Sequence, residues 1–235
     1  MQLPDIEIMI DSGSRPELLK QSVPTIKNHL KYSGCIKWTL HEVFLYPDKS
    51  NQCIHWAKYS RIFNNIVKSE PHGQGVSIGN CLIPCQAKYF IHWEDDHIAT
   101  RDINLDVCVK ILEENKDVNQ IAFNKRATMG NIKTWHKKEV IRSNQILTTS
   151  PHWRYTPAIW RVDFIQEKWK KWVKSFRNSD NSHWQVNRLL KKVPRNADWV
   201  IKNLGTYYFG GIGNERYCAS IGAGFSNRNK GYRYE

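Results

Sequence analysis

The stretch Lys88 to His97, KYFIHWEDDH, puts three carboxylates, Glu94, Asp95 and Asp96, directly after the apolar residues Tyr89, Phe90, Ile91 and Trp93. So short an apolar run reads as a buried strand rather than a helix. Three adjacent acids repel one another and are costly to desolvate unless a cation or basic group lies beside them. Hard oxygen donors on a rigid strand end suit Mg2+ or Mn2+, and such an ion can in turn hold a diphosphate. The same residues also suit a solvated strand-to-loop corner, where acids are common. Taken alone, the stretch leaves both readings open.

The elements around it narrow the choice. Ile6, Ile8 and Ile10 alternate with Glu7 and Met9, a period of two that predicts a strand. It runs into Asp11-Ser12-Gly13-Ser14-Arg15-Pro16-Glu17, where Ser14 and Glu17 have capping-box spacing and Pro16 suits a first helical turn. Leu18, Leu19, Val23, Ile26 and Leu30 give the helix its apolar face, with Pro24 a point where it would kink or restart. Strand, polar loop and helix open an α/β fold that binds ligands at the carboxyl ends of its strands. A second short strand is expected over Val43 to Tyr46, ending at Pro47-Asp48, and a helix over Ser50 to Ser69. The loop His72-Gly73-Gln74-Gly75 then leads into a helix containing Val76, Ile78, Leu82 and Ile83, ahead of the acidic strand. Beyond that strand, Val107 to Asn115 reads as helix and Gln120 to Phe123 as strand. No internal repeat or low-complexity linker interrupts the 235 residues, which are expected to form one domain.

Charge divides the chain sharply. Of 35 Lys and Arg and 22 Asp and Glu, residues 1–100 hold ten of each. The net +13 therefore lies entirely in residues 101–235. A basic half on a neutral half implies an acidic partner: nucleic acid, an anionic polymer or a membrane surface. No apolar stretch approaches the ~20 residues of a membrane helix. The opening MQLPDIEIMI lacks the basic start and long apolar run of a signal peptide, so the cytoplasm is the expected location. The six cysteines form no CxxC pair and are expected as free thiols, with Cys81 and Cys85 at helical spacing.

Strand–SGSRPELL–helix, a second strand near Asp48, a Gly-rich loop with Asn80, and strand–EDD together resemble the nucleotide-binding half of a GT-A glycosyltransferase. The likeness is greatest to small family-2-like enzymes and covers roughly residues 5–125. It implies a Rossmann-like, mainly parallel central sheet flanked by helices. It also implies a nucleotide-diphosphate sugar donor, UDP-linked by expectation, held through Mn2+ or Mg2+. Carried over residue by residue, Asp11, Ser12 and Arg15 would line the nucleoside pocket, and Asp48 would contact base or ribose. Gly73 would belong to the donor loop. Glu94 or Asp95 would face ribose and metal, with Asp96 the main metal ligand and Glu94 beside it. Asp180, before an amphipathic helix, would be the catalytic base, with His183 the alternative or a metal ligand, although the residue type and position of Asp180 favour a helix N-cap. Arg216, Arg228 and Lys230, in the Gly-rich closing stretch, would contact the diphosphate. Many relatives carry a metal-binding histidine in that stretch. Here Ala219-Ser220 stands near its expected place and no histidine follows His183.

The second half carries the acceptor side. Thr149 to Trp160, TSPHWRYTPAIW, is expected as an irregular wall. Asp163 and Gln166 have capping-box spacing ahead of Phe164, Ile165, Trp169, Trp172, Val173 and Phe176, a helical periodicity that favours core over base stacking for Trp169 and Trp172. Lys168, Lys170, Lys171 and Lys174 lie largely around the rest of that helix, and Arg188, Lys191 and Lys192 follow. Since the +13 falls on this side, the favoured acceptor is duplex DNA with hydroxymethylated bases, as for virus-encoded DNA glycosyltransferases, which would act in the host cytoplasm. An anionic cell-surface glycan is the second acceptor. A non-catalytic nucleic-acid-binding protein on a degenerate transferase fold is the alternative of another class.

Overall fold

The structure, a computed structural model, describes residues 3–71, 74–123, 139–150, 153–154, 157–173, 204–211 and 217–222. Its centre is the predicted first strand, β1 (Ile6–Ser12), whose alternating side chains feed two core clusters on opposite faces. Ile6, Ile8 and Ile10 pack with Leu19, Val23 and Ile26 of helix α1 (Pro16–His29). Met9 belongs to the other cluster. α1 continues through Pro24 without a break.

Along the chain follow β2 (Leu30–Lys31), β3 (Ile36–Val43), α2 (Pro47–Ser60), β4 (Asn65–Ser69), α3 (Gln74–Leu82), β5 (Tyr89–Glu94), β6 (His97–Ala99) and β7 (Ile103–Asn104). Then come α4 (Leu105–Glu114), β8 (Gln120–Ala122), β9 (Glu139–Arg142), β10 (Gln145–Thr149), β11 (Ala158–Arg161), α5 (Val162–Val173), β12 (Thr206–Phe209) and β13 (Cys218–Ser220). Nine strands form one sheet in the order β4-β3-β1-β5-β11-β8-β12-β10-β9. The first four are parallel; β11 is antiparallel to both β5 and β8, and β12 is parallel to β8. α1, α2 and α4 contribute to the cluster on one face, α3 and α5 to that on the other. The mixed, mainly parallel sheet flanked by helices is as expected, and it gathers the carboxyl ends of β3, β1 and β5 on one edge.

Several local expectations are corrected. The second strand is Ile36–Val43, not Val43 to Tyr46. It is polar in sequence because Thr39, His41 and Glu42 are buried with partners from distant elements. The helix expected over Ser50 to Ser69 is α2 followed by the edge strand β4, separated by Arg61 in a left-handed conformation (φ 55°). The segment expected as an irregular wall up to Trp160 contains β11, a central strand, and Trp153 and Trp160 are fully buried.

Neither capping box forms as expected. α1 is capped at Arg15 with no side-chain bond, and the Ser14 hydroxyl serves β3 and α2 instead. At α5, Asp163 accepts from the Phe164 N–H at 2.7 Å, while Gln166 points its amide nitrogen at the carbonyls of Leu82, Ile83 and Cys85, each 2.9 Å away. Gln166 therefore ties α5 to the end of α3. Cys85 lies beyond that end; all six cysteines are free.

Candidate active site

The register of the three parallel strands brings the site together. Asp11 pairs with His41 on β3 and with Glu94 on β5, and Ser12 pairs with Glu42. After Glu94 the chain turns through Asp95 and Asp96 and returns as β6. The Asp95 N–H donates to the Asp11 carbonyl at 3.0 Å, and the buried Trp93 indole donates to the His97 carbonyl at 2.8 Å. Those two bonds fix the acidic turn from both sides.

Within the turn the three acids part company. Asp95 points inward, with a fully buried side chain, and is gripped by the Arg15 guanidinium through Nε (3.2 Å) and Nη2. Burial pushes the Asp95 carboxyl up, to about 7, and Arg15 is what holds it from rising further. Arg15 itself titrates higher than usual: burial opposes its charge, but Asp95 and Asp96 outweigh it. Arg15 thus supplies the counter-charge for the inward acid.

Glu94 and Asp96 face outward, 25% and 22% exposed, and both approach His97. Its Nδ1 lies 2.8 Å from Asp96 Oδ1 and 3.3 Å from Glu94 Oε2. Burial opposes charge on both Asp96 and His97. Their mutual hydrogen bond and attraction nonetheless lower the carboxyl, and the same bond with Glu94 raises the imidazole. One ligand atom from each of Glu94, Asp96 and His97 lies within 4.8 Å of the others. Two carboxylates and an imidazole fit a divalent ion, and the nitrogen favours Mn2+ over Mg2+.

The third donor is the residue that the sequence reading missed. The resemblance places a histidine near Ala219–Ser220, and the structure pairs those residues with Ile98 and His97. The imidazole therefore reaches the acids from the facing strand. The available signal was a histidine immediately after the acids.

Strand β13 brings the later chain against Asp96. The Ile221 N–H donates to the Asp96 carbonyl at 2.7 Å. A Cβ at Gly222 would lie 2.4 Å from Asp96 Oδ2 and 2.6 Å from Asp96 Cβ, too close for any real side chain. Gly222→Ala should therefore displace the Asp96 carboxylate and weaken Mn2+ binding by about tenfold or more. Calorimetric titration with Mn2+ checks this, with circular dichroism as the control for folding.

The remaining site residues take varied places. Asp11 sits between two buried imidazoles, 3.1 Å from His41 Nδ1 and 4.0 Å from His92 Nε2. Burial opposes its charge, but the two histidines hold the carboxyl down, at about 2. Neither histidine stood out in the sequence, because each is 30 or more residues from Asp11. Ser12 is buried, its hydroxyl 3.8 Å from Cys53 Sγ. Asp48 is exposed in the first turn of α2 rather than at a strand end. Gly73, Asp180, Arg216, Arg228 and Lys230 lie outside the described residues.

On the acceptor side, Trp169 is fully buried and stacks near Trp160, with ring centroids 5.8 Å apart, so it is core as its spacing predicts. Lys170 is exposed on α5, and Lys168 lies over the Phe164 ring, 4.5 Å from its centroid. The side chains of Lys171 and Trp172, and the whole of Lys174, Arg188, Lys191 and Lys192, lie outside the described residues.

No family model and no curated protein sequence matches the chain. Its fold, however, is shared with solved structures. A Pyrobaculum calidifontis mannosyltransferase in complex with GDP-Man and Mn2+ aligns over 89% of this chain and 57% of its own, at 10% identity and a TM-score of 0.56. Staphylococcus aureus TarS aligns over 94% of this chain and 36% of its own, at 8% identity and a TM-score of 0.55. This chain thus spans little more than half the length of the first and about a third of the second. At such identities the likeness is one of fold, and the fold is of GT-A type.

Proposed function

We propose that the chain is a metal-dependent glycosyltransferase taking its sugar from a nucleotide-diphosphate donor. The observation that carries this is the Glu94–Asp96–His97 cluster, at the carboxyl edge of a parallel sheet where such a donor binds. A mannosyltransferase of the same fold was solved with GDP-Man and Mn2+, which supports the choice of donor class and ion. UDP and GDP are both open as the nucleotide.

Glu94, Asp96 and His97 would hold the ion, which when bound neutralises charge on the leaving diphosphate. His97 must be unprotonated to ligate, so ion binding competes with the proton it shares with Asp96. Arg15 keeps Asp95 compensated, so the inward acid does not repel the donor phosphates. Asp11, Ser12 and Asp48 would form the nucleoside side, with Gly73 in the donor loop and Arg216, Arg228 and Lys230 on the diphosphate. Asp180 would accept the proton of the attacking hydroxyl.

We favour a polyanionic acceptor, with hydroxymethylated duplex DNA first, because the neutral half carries the donor site and the +13 lies wholly beyond residue 100. Binding through several Lys and Arg contacts releases counterions, so affinity should fall steeply with salt. Replacing Lys170, Lys171 and Lys174 by Gln should flatten that slope by about one unit per lost phosphate contact while donor binding persists. The test is a salt titration of DNA binding on both proteins, beside transfer assays with hydroxymethylated DNA and with an anionic glycan. DNA binding that is weak and insensitive to salt would remove nucleic acid and leave the glycan.

A further inference from the structure

Glu42 is a fully buried acid that the proposed reaction does not use. It sits next to last in β3, in register with Ser12. Its Oε1 accepts from the Ser14 N–H at 2.8 Å and from the Ser50 hydroxyl at 2.8 Å. The Ser14 and Ser50 hydroxyls are 2.6 Å apart, and the Tyr46 N–H donates to Ser14 Oγ at 2.9 Å. Glu42 and Ser14 thereby join the loop after β1, the connector after β3 and the first turn of α2.

The geometry at Ser14 shows what this knot does. Ser14 has φ +57°, a conformation that costs about 1 kcal/mol or more for a residue with a side chain. The next residue is Arg15, whose guanidinium grips Asp95 and lies 3.7 Å from Asp96. If Ser14 relaxed to an extended conformation, the chain direction into Arg15 and α1 would change.

We infer that Glu42 is a positioning residue of the donor site: it holds Ser14 in its left-handed conformation and so aims Arg15 at the acidic turn. Its bearing on the donor rests on the function proposed above; its hold on Ser14 does not. Burial favours the neutral form of this acid, so glutamine is a close mimic of it.

The experiment compares wild type, Glu42→Ala and Glu42→Gln by amide hydrogen exchange at Ser14 and Tyr46, and by titration with GDP and with UDP in Mn2+. In Glu42→Ala the Ser14 amide should exchange about a hundredfold faster, since its partner is gone. Nucleotide affinity should fall about tenfold, while Mn2+ affinity without nucleotide stays within about twofold. Glu42→Gln should recover most of both losses. Should Glu42→Ala fail to fold, Glu42→Met fills the same volume without an acceptor for the Ser14 N–H and takes its place in both measurements, with the same losses expected. Unchanged Ser14 exchange in a folded Glu42→Ala protein, or unchanged nucleotide affinity despite faster exchange, overturns the inference. If wild type binds neither nucleotide while Ser14 still loses protection, the donor reading fails and Glu42 keeps its hold on the loop alone.

Discussion

Asp96→Ala should lower Mn2+ affinity by about a hundredfold and abolish measurable sugar transfer, a loss of roughly a thousandfold or more, with the fold intact. Asp96 is the acid with contacts on three sides of the turn. It bonds His97 at 2.8 Å, lies 3.7 Å from Arg15, and accepts from the Ile221 N–H through its carbonyl. Its side chain is partly exposed, and after its removal His97 keeps Glu94 and Arg15 keeps Asp95, so little stability is at stake. Calorimetry with Mn2+ and a thermal melt on the same variant separate the two effects. Substantial transfer by the variant, or full wild-type transfer in excess EDTA, would take the acidic turn out of the mechanism.

Arg15→Ala should behave in the opposite way, as a variant whose first defect is stability. It strands Asp95, whose side chain is fully buried, without its cation. Breaking a buried pair from one side costs about 3–5 kcal/mol. The pH dependence carries the signature. Burial already raises the Asp95 carboxyl to about 7 with Arg15 in place, and without Arg15 it rises further. A carboxyl raised in the folded state binds a proton that the unfolded chain does not, so stability is gained as pH falls. The deficit relative to wild type should therefore be largest near pH 8 and shrink toward pH 5. Chemical denaturation at the two values measures it. A deficit independent of pH would mean that Asp95 is compensated by some other group.

Much of the donor edge is legible in the sequence because its elements are local. The alternation of Ile6, Ile8 and Ile10, the apolar run before Glu94, and the periodicity around Trp169 each predict an element that the structure contains. The resemblance drawn from SGSRPELL and EDD agrees with a fold of GT-A type.

What sequence reasoning loses is long-range pairing of polar groups. β3 reads poorly because His41 and Glu42 are polar, yet both are buried against Asp11, Ser14 and Ser50. Ser14 looks like a helix cap, but its hydroxyl is drawn to Ser50, 36 residues away. β11 is hidden among Trp, Tyr and Pro because only its place between β5 and β8 makes Ala158 to Trp160 a core strand. His97 is hard to read as a ligand because the family pattern places the third donor near Ala219–Ser220, and only the β6–β13 pairing makes the two places adjacent.

The proposed site has a nucleotide-diphosphate sugar bound at the carboxyl edge of β1, β3 and β5 through an ion held by Glu94, Asp96 and His97. Calorimetric titration of GDP-mannose and a UDP-sugar into the wild-type protein, in Mn2+ and again in EDTA, tests it most directly. At least one donor should bind in Mn2+, with a loss of about a hundredfold in EDTA. Equal affinity in both buffers, or no binding of either donor in Mn2+, would contradict it.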